Sequence, residues 1–220
     1  MRITWYGHAA FLIETGGLRI ILDPFKSPDS GGYEPINDGA DVVVVSHEND
    51  RYHSHLGQIA PPFEVLRGLD FPAEGQEYGG ITFKSVHVYE TDDRRPEDEV
   101  TILHFRVEGM RVVFLGDLGH SLSVEELEPL RNAEILMVAA GGPPTIGFAE
   151  IPGLIDEIGP RLILPMHYKT PRINLKIEPV ERFLECVPAI EVERPGTTSI
   201  DLALDTLPGT RRIVILEHAR

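Results

Sequence analysis

The chain has 220 residues, of which 42% are hydrophobic and 25% are charged, a composition typical of one globular domain spanning residues 1–220. Because 35 acidic residues outnumber 20 basic ones, the formal net charge is −15. Such a charge repels phosphate backbones and anionic lipids, so we expect no stable nucleic-acid complex and no membrane-surface role. Small-molecule or phosphodiester substrates drawn in by a metal, and a homo-oligomer, stay open as partners.

The cysteine count and the N-terminal segment bear on the compartment. Cys186 is the only cysteine, so no internal disulfide can form and a reducing compartment fits. The opening segment MRITWYGHAAFLI lacks the long apolar run and cleavage site of a signal peptide. No segment approaches the roughly 20 apolar residues of a membrane span. We therefore predict a cytoplasmic protein.

The first part of the chain is predicted to form β-strands. RITWY, AFLIET and LRIILD are β-branched segments separated by GHA and GG, which predicts three consecutive strands of a meander with glycine turns. After a loop rich in proline and glycine comes DVVVVSH, whose unbroken apolar character is typical of a strand covered on both faces. The histidine-rich loop SHENDRYHSH therefore leaves the end of a buried strand.

A second set of elements follows. ITFKSVHVY, VTILHFRVEG and MRVVFLGD predict strands, and a helix from about Ser121 to Arg131 is predicted with Ser123 as its N-cap. The remaining segments predict a strand (AEILMVAA), a helix near residues 148–158, a strand (RLILPMH), a helix near residues 179–186 and a last strand (RRIVILEH). A meander followed by strands alternating with helices indicates an α+β fold, a sandwich of two β-sheets with external helices.

Four apolar strands each deliver a polar side chain where the strand stops. These residues are His47, Glu90, Asp117 and His167. Chance explains one or two such placements, but four residues that can all bind Zn, Mn, Ni or Fe indicate a metal site. The lack of further cysteines argues against a thiolate-rich structural zinc site.

The segments WYGHAAFLIET, IILDPF, VVVVSH, VVFLGDLGH and LPMHYKTP resemble the metallo-β-lactamase superfamily. Within it they are similar to the small branch of metal-dependent hydrolases related to the ascorbate-phosphate lactonases. The resemblance implies a four-layer αββα sandwich of two mixed β-sheets, a metal site at one edge between the sheets, and hydrolysis by a metal-activated water. It places His47 on the first histidine of the family's H-x-H-x-D-H loop, Asp117 on the bridging aspartate and His167 on the late histidine ligand.

This chain departs from the family pattern inside that loop. Asn49, Arg51 and Tyr52 stand where the family has its second histidine, its aspartate and its last histidine. A guanidinium group has no lone pair to offer a metal. The sequence therefore predicts one divalent transition metal ion (Zn, Mn, Ni or Fe) rather than two.

Several further residues complete the predicted site. Glu90 aligns best with another family histidine and is a predicted ligand. His8 is either a direct ligand or a histidine that hydrogen-bonds a ligand carboxylate. His53 is expected to face solvent on the first turn of a helix, as is His55, with a shifted ligand role for His53 left open. His120 is expected to support Asp117 or contact substrate.

Other nearby residues have open alternatives. Asp23 either orients a metal-binding imidazole or caps a turn. Lys169, two residues after His167, either meets an anionic substrate group in the same cleft or is solvated. Arg51 is a candidate partner for a carboxylate or phosphate near the metal, and Asn49 is a candidate contributor to the metal shell.

These observations predict a metal-dependent hydrolase that uses a metal-activated water. Asp117, His8 and Lys169 are the predicted catalytic residues. A phosphodiester substrate is placed slightly ahead of a lactone, because Arg51 and Lys169 would put cations beside the metal. The alternative is a non-catalytic binding or scaffold protein that keeps the fold with a degenerate metal site, and the lost loop ligands support it.

Overall fold

Two mixed β-sheets of six and eight strands pack face to face in the computed structural model, which describes residues 1–220. In chain order the strands are β1 (Arg2–Gly7), β2 (Ala10–Thr15), β3 (Leu18–Leu22), β4 (Val42–Val45), β5 (Glu64–Arg67), β6 (Gln76–Tyr78), β7 (Ile81–Tyr89), β8 (Glu99–Val107), β9 (Met110–Phe114), β10 (Ile135–Ala139), β11 (Leu162–Met166), β12 (Glu191–Glu193), β13 (Ser199–Asp201) and β14 (Arg212–Val214). The α-helices are α1 (Val124–Leu127), α2 (Ile151–Ile158) and α3 (Val180–Cys186).

Both sheets mix parallel and antiparallel pairs, as predicted. The six-stranded sheet has the order β13-β1-β2-β3-β4-β5, and its β1-β2-β3 part is the predicted meander. The eight-stranded sheet has the order β12-β14-β11-β10-β9-β8-β7-β6. In that sheet β9, β10, β11 and β14 run parallel, whereas β6 to β9 form an antiparallel meander.

Alternation of side chains along the strands divides the interior into two cores. Phe11 and Ile13 of β2 face the core between the sheets, whereas Ala10 and Leu12 face a smaller core on the outer side of the six-stranded sheet. The valines of β4 also alternate between the two cores, which explains the unbroken apolar run of that strand.

The α+β sandwich of the prediction is confirmed, but its outer layer differs on one face. The buried apolar side chains of all three helices belong to the larger core. The smaller core is closed instead by residues from loops, namely Phe25, Tyr33, Ile36, Ile59, Ile173 and Ile177. Loop segments therefore take the place of helices over the six-stranded sheet.

The helices are short. Ser123 caps α1 as predicted: its hydroxyl accepts from the Glu126 N–H, and the Glu126 carboxylate accepts from the Ser123 N–H. The helix predicted from about residue 121 to 131 is limited to Val124–Leu127, followed by a 3₁₀ turn over Glu128–Leu130 that contains Pro129. None of the helices combines the length and the apolar character needed to cross a membrane.

Backbone hydrogen bonds join the strand ends at one edge of the sandwich. The His167 N–H after β11 donates to the His8 carbonyl after β1, at 2.9 Å. The Gly119 N–H donates to the Tyr89 carbonyl at the end of β7, also at 2.9 Å. The first bond ties the two sheets together, and the second joins two strand ends of the eight-stranded sheet, at the edge where the polar side chains of the predicted site emerge.

Candidate metal centre

Six buried or half-buried side chains converge at this edge: His8, His47, His53, Glu90, Asp117 and His167. All but His53 follow directly, or within three residues, the ends of β1, β4, β7, β9 and β11. Their ligand atoms form two groups in which every atom lies within 4.8 Å of the others, one of His8, His53 and His167 and one of His47, Glu90 and Asp117. A third group that meets the same limit, of Asp23, His47 and His53, shares a histidine with each of them. The metal-competent atoms therefore form overlapping sets of three.

Asp117 belongs to the group with His47 and Glu90 and also approaches the other group. Its Oδ2 is 2.9 Å from His53 Nε2, and its Oδ1 is 3.6 Å from His167 Nε2. Within its own group, His47 Nε2 is 3.4 Å from Glu90 Oε1. The carboxylate of Asp117 is thus placed to serve both groups.

Asp23 fixes the orientation of the histidine-loop side chains. Its Oδ1 accepts from the Ser46 N–H at 2.7 Å, and its Oδ2 accepts from the Ser46 hydroxyl at 2.5 Å. Asp23 Oδ2 also lies 2.9 Å from His53 Nδ1, and Ser46 Oγ lies 3.0 Å from His47 Nδ1. Because the Ser46 hydroxyl donates to Asp23, it accepts from His47 Nδ1–H, and both imidazoles turn Nε2 toward the centre.

The backbone is strained at three residues of this edge. His8, Asp23 and His167 have φ values of +49°, +41° and +48°, in the left-handed region that non-glycine residues seldom adopt. Each such conformation costs on the order of 1 kcal/mol or more and persists only where the surroundings enforce it. All three residues immediately follow a strand, so the strain turns their side chains out of the strand direction and toward the centre.

Many polar atoms of the centre are buried without a hydrogen-bond partner. They are His8 Nδ1 and Nε2, His47 Nε2, His167 Nδ1 and Asp117 Oδ1. An unsatisfied buried polar atom costs roughly 1–3 kcal/mol, and a bound cation would accept one lone pair from each neutral imidazole and one from the carboxylate. Imidazole nitrogen and carboxylate oxygen suit Zn, Mn, Fe and Ni. The residues present therefore fit a divalent transition metal.

The protonation states of most histidines favour ligation, because a metal ligand must be a neutral imidazole. Burial lowers the pKa of His8 and His167, and it lowers the pKa of His47 to about 4. Burial would also lower the pKa of His53, but the carboxylates of Asp117 and Asp23 outweigh it and raise the pKa to about 10. A metal at His53 must therefore displace a proton.

The two carboxylates of the centre respond to their surroundings in opposite ways. Burial would raise the pKa of Asp117, but the imidazoles of His53 and His167 hold it well below its usual range. Burial and the neighbouring Asp117 charge raise the pKa of Glu90 to about 7. Asp117 is therefore ionised near neutral pH, whereas Glu90 is only partly ionised there.

The solvent-facing position predicted for His53 is wrong. The residue is 0% exposed and lies in a non-helical turn. The Asn49 carbonyl accepts the N–H groups of Tyr52, His53 and Ser54, and this tight turn carries the His53 ring inward. The sequence signal was the spacing: six positions separate His47 from His53, one more than separates the first and last histidines of H-x-H-x-D-H.

The other loop residues lie away from the centre. Asn49 Oδ1 accepts from the Tyr52 N–H at 3.3 Å, so its side chain shapes the turn. Arg51 is exposed, donates from Nε to the Asp29 carbonyl and stacks over the Tyr52 ring at 5.1 Å. His55 pairs with the exposed Asp50 at 2.9 Å. The structure does not bring Arg51 to the metal centre.

Lys169 and His120 were both predicted to lie near the metal, and the structure places their side chains as follows. Lys169 Nζ donates to the carbonyls of Ile173 and Leu175 at 2.8 and 3.2 Å, and Lys169 lines a separate groove beside Trp5. The structure therefore does not bring Lys169 into the cleft of the metal centre. His120 Nε2 accepts from the Tyr89 N–H at 3.1 Å, so its contact supports the strand end that carries Glu90.

A cleft of about 370 Å³ opens beside Glu90. Three carboxylates, those of Glu90, Asp92 and Glu150, line it together with His120, and no lysine or arginine does. The field at its walls is therefore negative wherever these carboxylates are ionised.

Known structures and sequences are similar to this chain. A Thermotoga maritima structure described as a candidate Zn-dependent hydrolase of the metallo-β-lactamase superfamily superposes with a TM-score of 0.77 and 30% identity, covering 98% of each chain. A UPF0173 protein of Pyrococcus abyssi is 31% identical over 77% of this chain and 84% of its own length. A UPF0173 metal-dependent hydrolase of Archaeoglobus fulgidus is 26% identical over the same shares.

The fold and the histidine-rich edge together define a metallo-β-lactamase-type sandwich. The family model of the β-lactamase superfamily domain matches residues 2–167, and the chain belongs to this superfamily. The match ends at His167, so it spans all six side chains that converge at the metal centre.

Proposed function

We propose that this chain is a metal-dependent hydrolase that cleaves an uncharged carbonyl substrate of the lactone or ester class. The observation that carries the hydrolase assignment is the set of buried, unpartnered imidazole and carboxylate atoms around Asp117. Relatives described as metal-dependent hydrolases support the same reaction class. When bound, the metal would lower the pKa of a coordinated water and polarise the scissile bond.

The donor groups favour two ion positions that share Asp117. His8, His53 and His167 would hold one ion with Asp117, and His47 and Glu90 would hold the second with the same carboxylate. The sequence prediction of a single ion rested on the loop positions filled by Arg51 and Tyr52. His53, displaced by one residue in the loop, supplies the ligand that this argument counted as lost.

The cleft beside Glu90 has no lysine or arginine in its lining, and this bears on the substrate class. The phosphodiester preference depended on Arg51 and Lys169 beside the metal, but both side chains are bound to backbone carbonyls elsewhere. The cleft wall carries carboxylates instead, and these would repel the charge of a phosphodiester. An uncharged lactone or ester avoids that repulsion, so we favour it over a phosphodiester.

The chain's own residues have distinct roles in this proposal. Asp23 holds the proton on His53 Nδ1, so Nε2 is the nitrogen that gives up its proton when a metal binds. Asp117 stays ionised and sets the spacing of the two groups. His120 Nε2 accepts a hydrogen bond from the Tyr89 N–H, and this contact keeps Glu90, the next residue, at the mouth of the cleft. The non-catalytic alternative is not favoured, because His53 leaves the centre with a full set of donors.

A substrate screen tests this proposal. Protein loaded separately with Zn, Mn and Ni is assayed with an uncharged lactone, with bis-p-nitrophenyl phosphate and with single-stranded DNA. We expect turnover of the lactone to exceed that of both phosphodiesters, and we expect His53→Ala but not His55→Ala to abolish it. Faster turnover of the phosphodiesters would contradict the substrate class, and inactivity on all substrates by metal-loaded protein would contradict the hydrolase assignment.

A further inference from the structure

A second cleft, of about 540 Å³, lies on the outer face of the eight-stranded sheet. Thr82 and Lys84 of β7, His104 and Arg106 of β8 and Arg111 of β9 form its floor. These residues alternate with Phe83, Phe105 and Val112, which face the core between the sheets. Glu128 and Pro129, after α1, form a side wall. We call this the outer cleft.

The outer cleft shares no residue with the metal centre. Lys84 and Glu90 both belong to the chain segment of β7, and six residues of extended strand separate them by about 20 Å. The two sites therefore lie at different places on the same sheet. Any ligand of the outer cleft binds independently of whether the hydrolase proposal holds.

The cleft concentrates positive charge in an acidic protein. Lys84, Arg106 and Arg111 all line it, and no carboxylate oxygen lies within 4.0 Å of their charged side-chain nitrogens. The Glu134 carboxylate accepts from the Arg111 backbone N–H, at 2.6 Å. Elsewhere in the chain most cations are ion-paired, for example Arg2 with Asp201 and Arg131 with Glu157. With a net charge of −15, unpaired cations in one cleft are a local reversal of the global field.

The strand register places two of these cations directly against each other. Arg106 lies opposite Arg111, whereas Lys84 lies opposite His104, whose pKa is lowered to about 4 and which is therefore neutral near pH 7. Like charges at directly opposed positions destabilise a sheet. The one carboxylate of the wall, Glu128, approaches Arg131 instead, at 3.5 Å. An anion bound over the floor would relieve this repulsion.

The guanidinium groups are also held in place. Arg111 Nη1 donates to the Arg131 carbonyl at 2.5 Å, and Arg106 Nη1 donates to the Gly109 carbonyl at 3.1 Å. Each group keeps further N–H donors free, and the planar guanidinium fork matches the oxygens of a phosphate. The Thr82 hydroxyl and the His104 ring add polar groups to the floor.

From these observations we infer that the outer cleft binds a small phosphate-bearing anion. Its volume lies within the range of small-molecule sites, roughly 300–1,000 Å³. A nucleic acid is disfavoured as the ligand, because the rest of the acidic surface would repel a long polyanion.

Isothermal titration of the full-length, metal-loaded chain with sodium pyrophosphate at low salt tests this inference. We expect Lys84→Glu and Arg106→Glu each to weaken binding about tenfold or more, because each removes a charge-assisted contact and adds repulsion. Both side chains are exposed, and circular dichroism checks that the variants fold. Lys176→Glu, which makes the same charge change at an exposed lysine outside the cleft, should leave the affinity unchanged.

A substitution in the metal centre distinguishes pyrophosphate bound in the outer cleft from pyrophosphate bound to the metal. His53→Ala should leave pyrophosphate binding unchanged if the anion occupies the outer cleft. Loss of binding in His53→Ala with retention in Lys84→Glu would place the anion on the metal and overturn the inference. Equal weakening by Lys176→Glu and Lys84→Glu, or no binding to the wild-type chain, would overturn it as well.

Discussion

At the scale of single residues, Asp23 does the most to shape the metal centre without lying in either donor group around Asp117. It is 0% exposed, adopts a left-handed backbone conformation and accepts hydrogen bonds from Ser46 and His53. The sequence left its role open between orienting an imidazole and capping a turn. The contact with His53 Nδ1 favours the first role, which stays a proposal until it is tested.

Asp23→Asn tests this role. The amide keeps the shape of the side chain but offers only one acceptor oxygen in place of two, so the contacts with Ser46 and His53 cannot both be kept. Loss of a residue that orients a metal-binding histidine costs about 10–100-fold in metal affinity. Chelator competition would measure that loss, with Asp50→Asn, at an exposed aspartate beside His55, as the control. Equal affinities in wild type and Asp23→Asn would refute the role.

His104 predicts a pH dependence of stability. Burial, with the charges of Arg111 and Lys84, lowers its pKa from 6.5 to about 4, and Arg106 and Glu128 also line the cleft that it faces. Between these pH values the unfolded chain binds a proton that the folded chain does not. The stability contributed by neutral His104 is therefore present above pH 6.5 and is lost as the pH falls toward 4.

Chemical denaturation at several pH values checks this expectation. The free energy of unfolding of the wild type should fall more steeply over the acid range than that of His104→Gln, whose side chain does not titrate. His87→Gln, at an exposed histidine paired with Glu99, serves as the control. Parallel curves for wild type and His104→Gln would show that His104 contributes no such dependence.

At the scale of elements, the sequence predicted the buried strands and missed short strands with no buried residue. β2, β4 and β11 carry apolar runs that are buried on both faces. Such runs can be recognised as strands from the sequence alone. β6, β12 and β13 have three residues each and are largely exposed, so they show neither an apolar run nor a clear alternation. Pairing with a neighbouring strand, which the local sequence does not encode, makes them strands.

The contact between the β9 and β7 ends predicts the effect of a single methyl group. A Cβ built on Gly119 would lie 1.6 Å from the Glu90 carbonyl oxygen, so Gly119→Ala must separate the Asp117 loop from Glu90. We expect a loss of roughly 1–3 kcal/mol in the free energy of unfolding, as for overpacking. We also expect weaker binding of metal at the group of His47, Glu90 and Asp117.

Gly153→Ala provides the matched control for that change. A Cβ at Gly153 in α2 meets nothing within 4 Å, and alanine in a helix is favoured over glycine by about 0.5–1 kcal/mol. Denaturation and metal analysis of both variants would compare them. Gly119→Ala with the stability and metal content of Gly153→Ala would contradict the close approach.

At the scale of the whole molecule, the sandwich was predictable because its strands and turns are encoded locally. The convergence of His47, Glu90, Asp117 and His167 was predicted from their positions at strand ends, and the structure brings them together. The inward position of His53 was not predicted, because it depends on a turn built from backbone hydrogen bonds rather than on a pattern of residue types.

The positions of the lysine and arginine side chains could not be predicted from the sequence either. Arg51 and Lys169 are near metal-site residues in the chain, but the Arg51 side chain donates to the Asp29 carbonyl and Lys169 donates to carbonyls of its own loop, those of Ile173 and Leu175. Lys84, Arg106 and Arg111 carry no motif, and only the pairing of β7, β8 and β9 assembles them in the outer cleft. Proximity in sequence therefore led to the wrong prediction that Arg51 and Lys169 lie beside the metal. The outer cleft, by contrast, results from strand pairing.

The most direct test of the central claim is the metal content of protein purified without chelator. The account predicts two equivalents of divalent transition metal in the wild type, a loss of at least one equivalent in His53→Ala, and no loss in His55→Ala. Wild-type protein that binds no metal, or His53→Ala that keeps the wild-type content, would contradict the claim that the buried histidines and Asp117 form a metal centre.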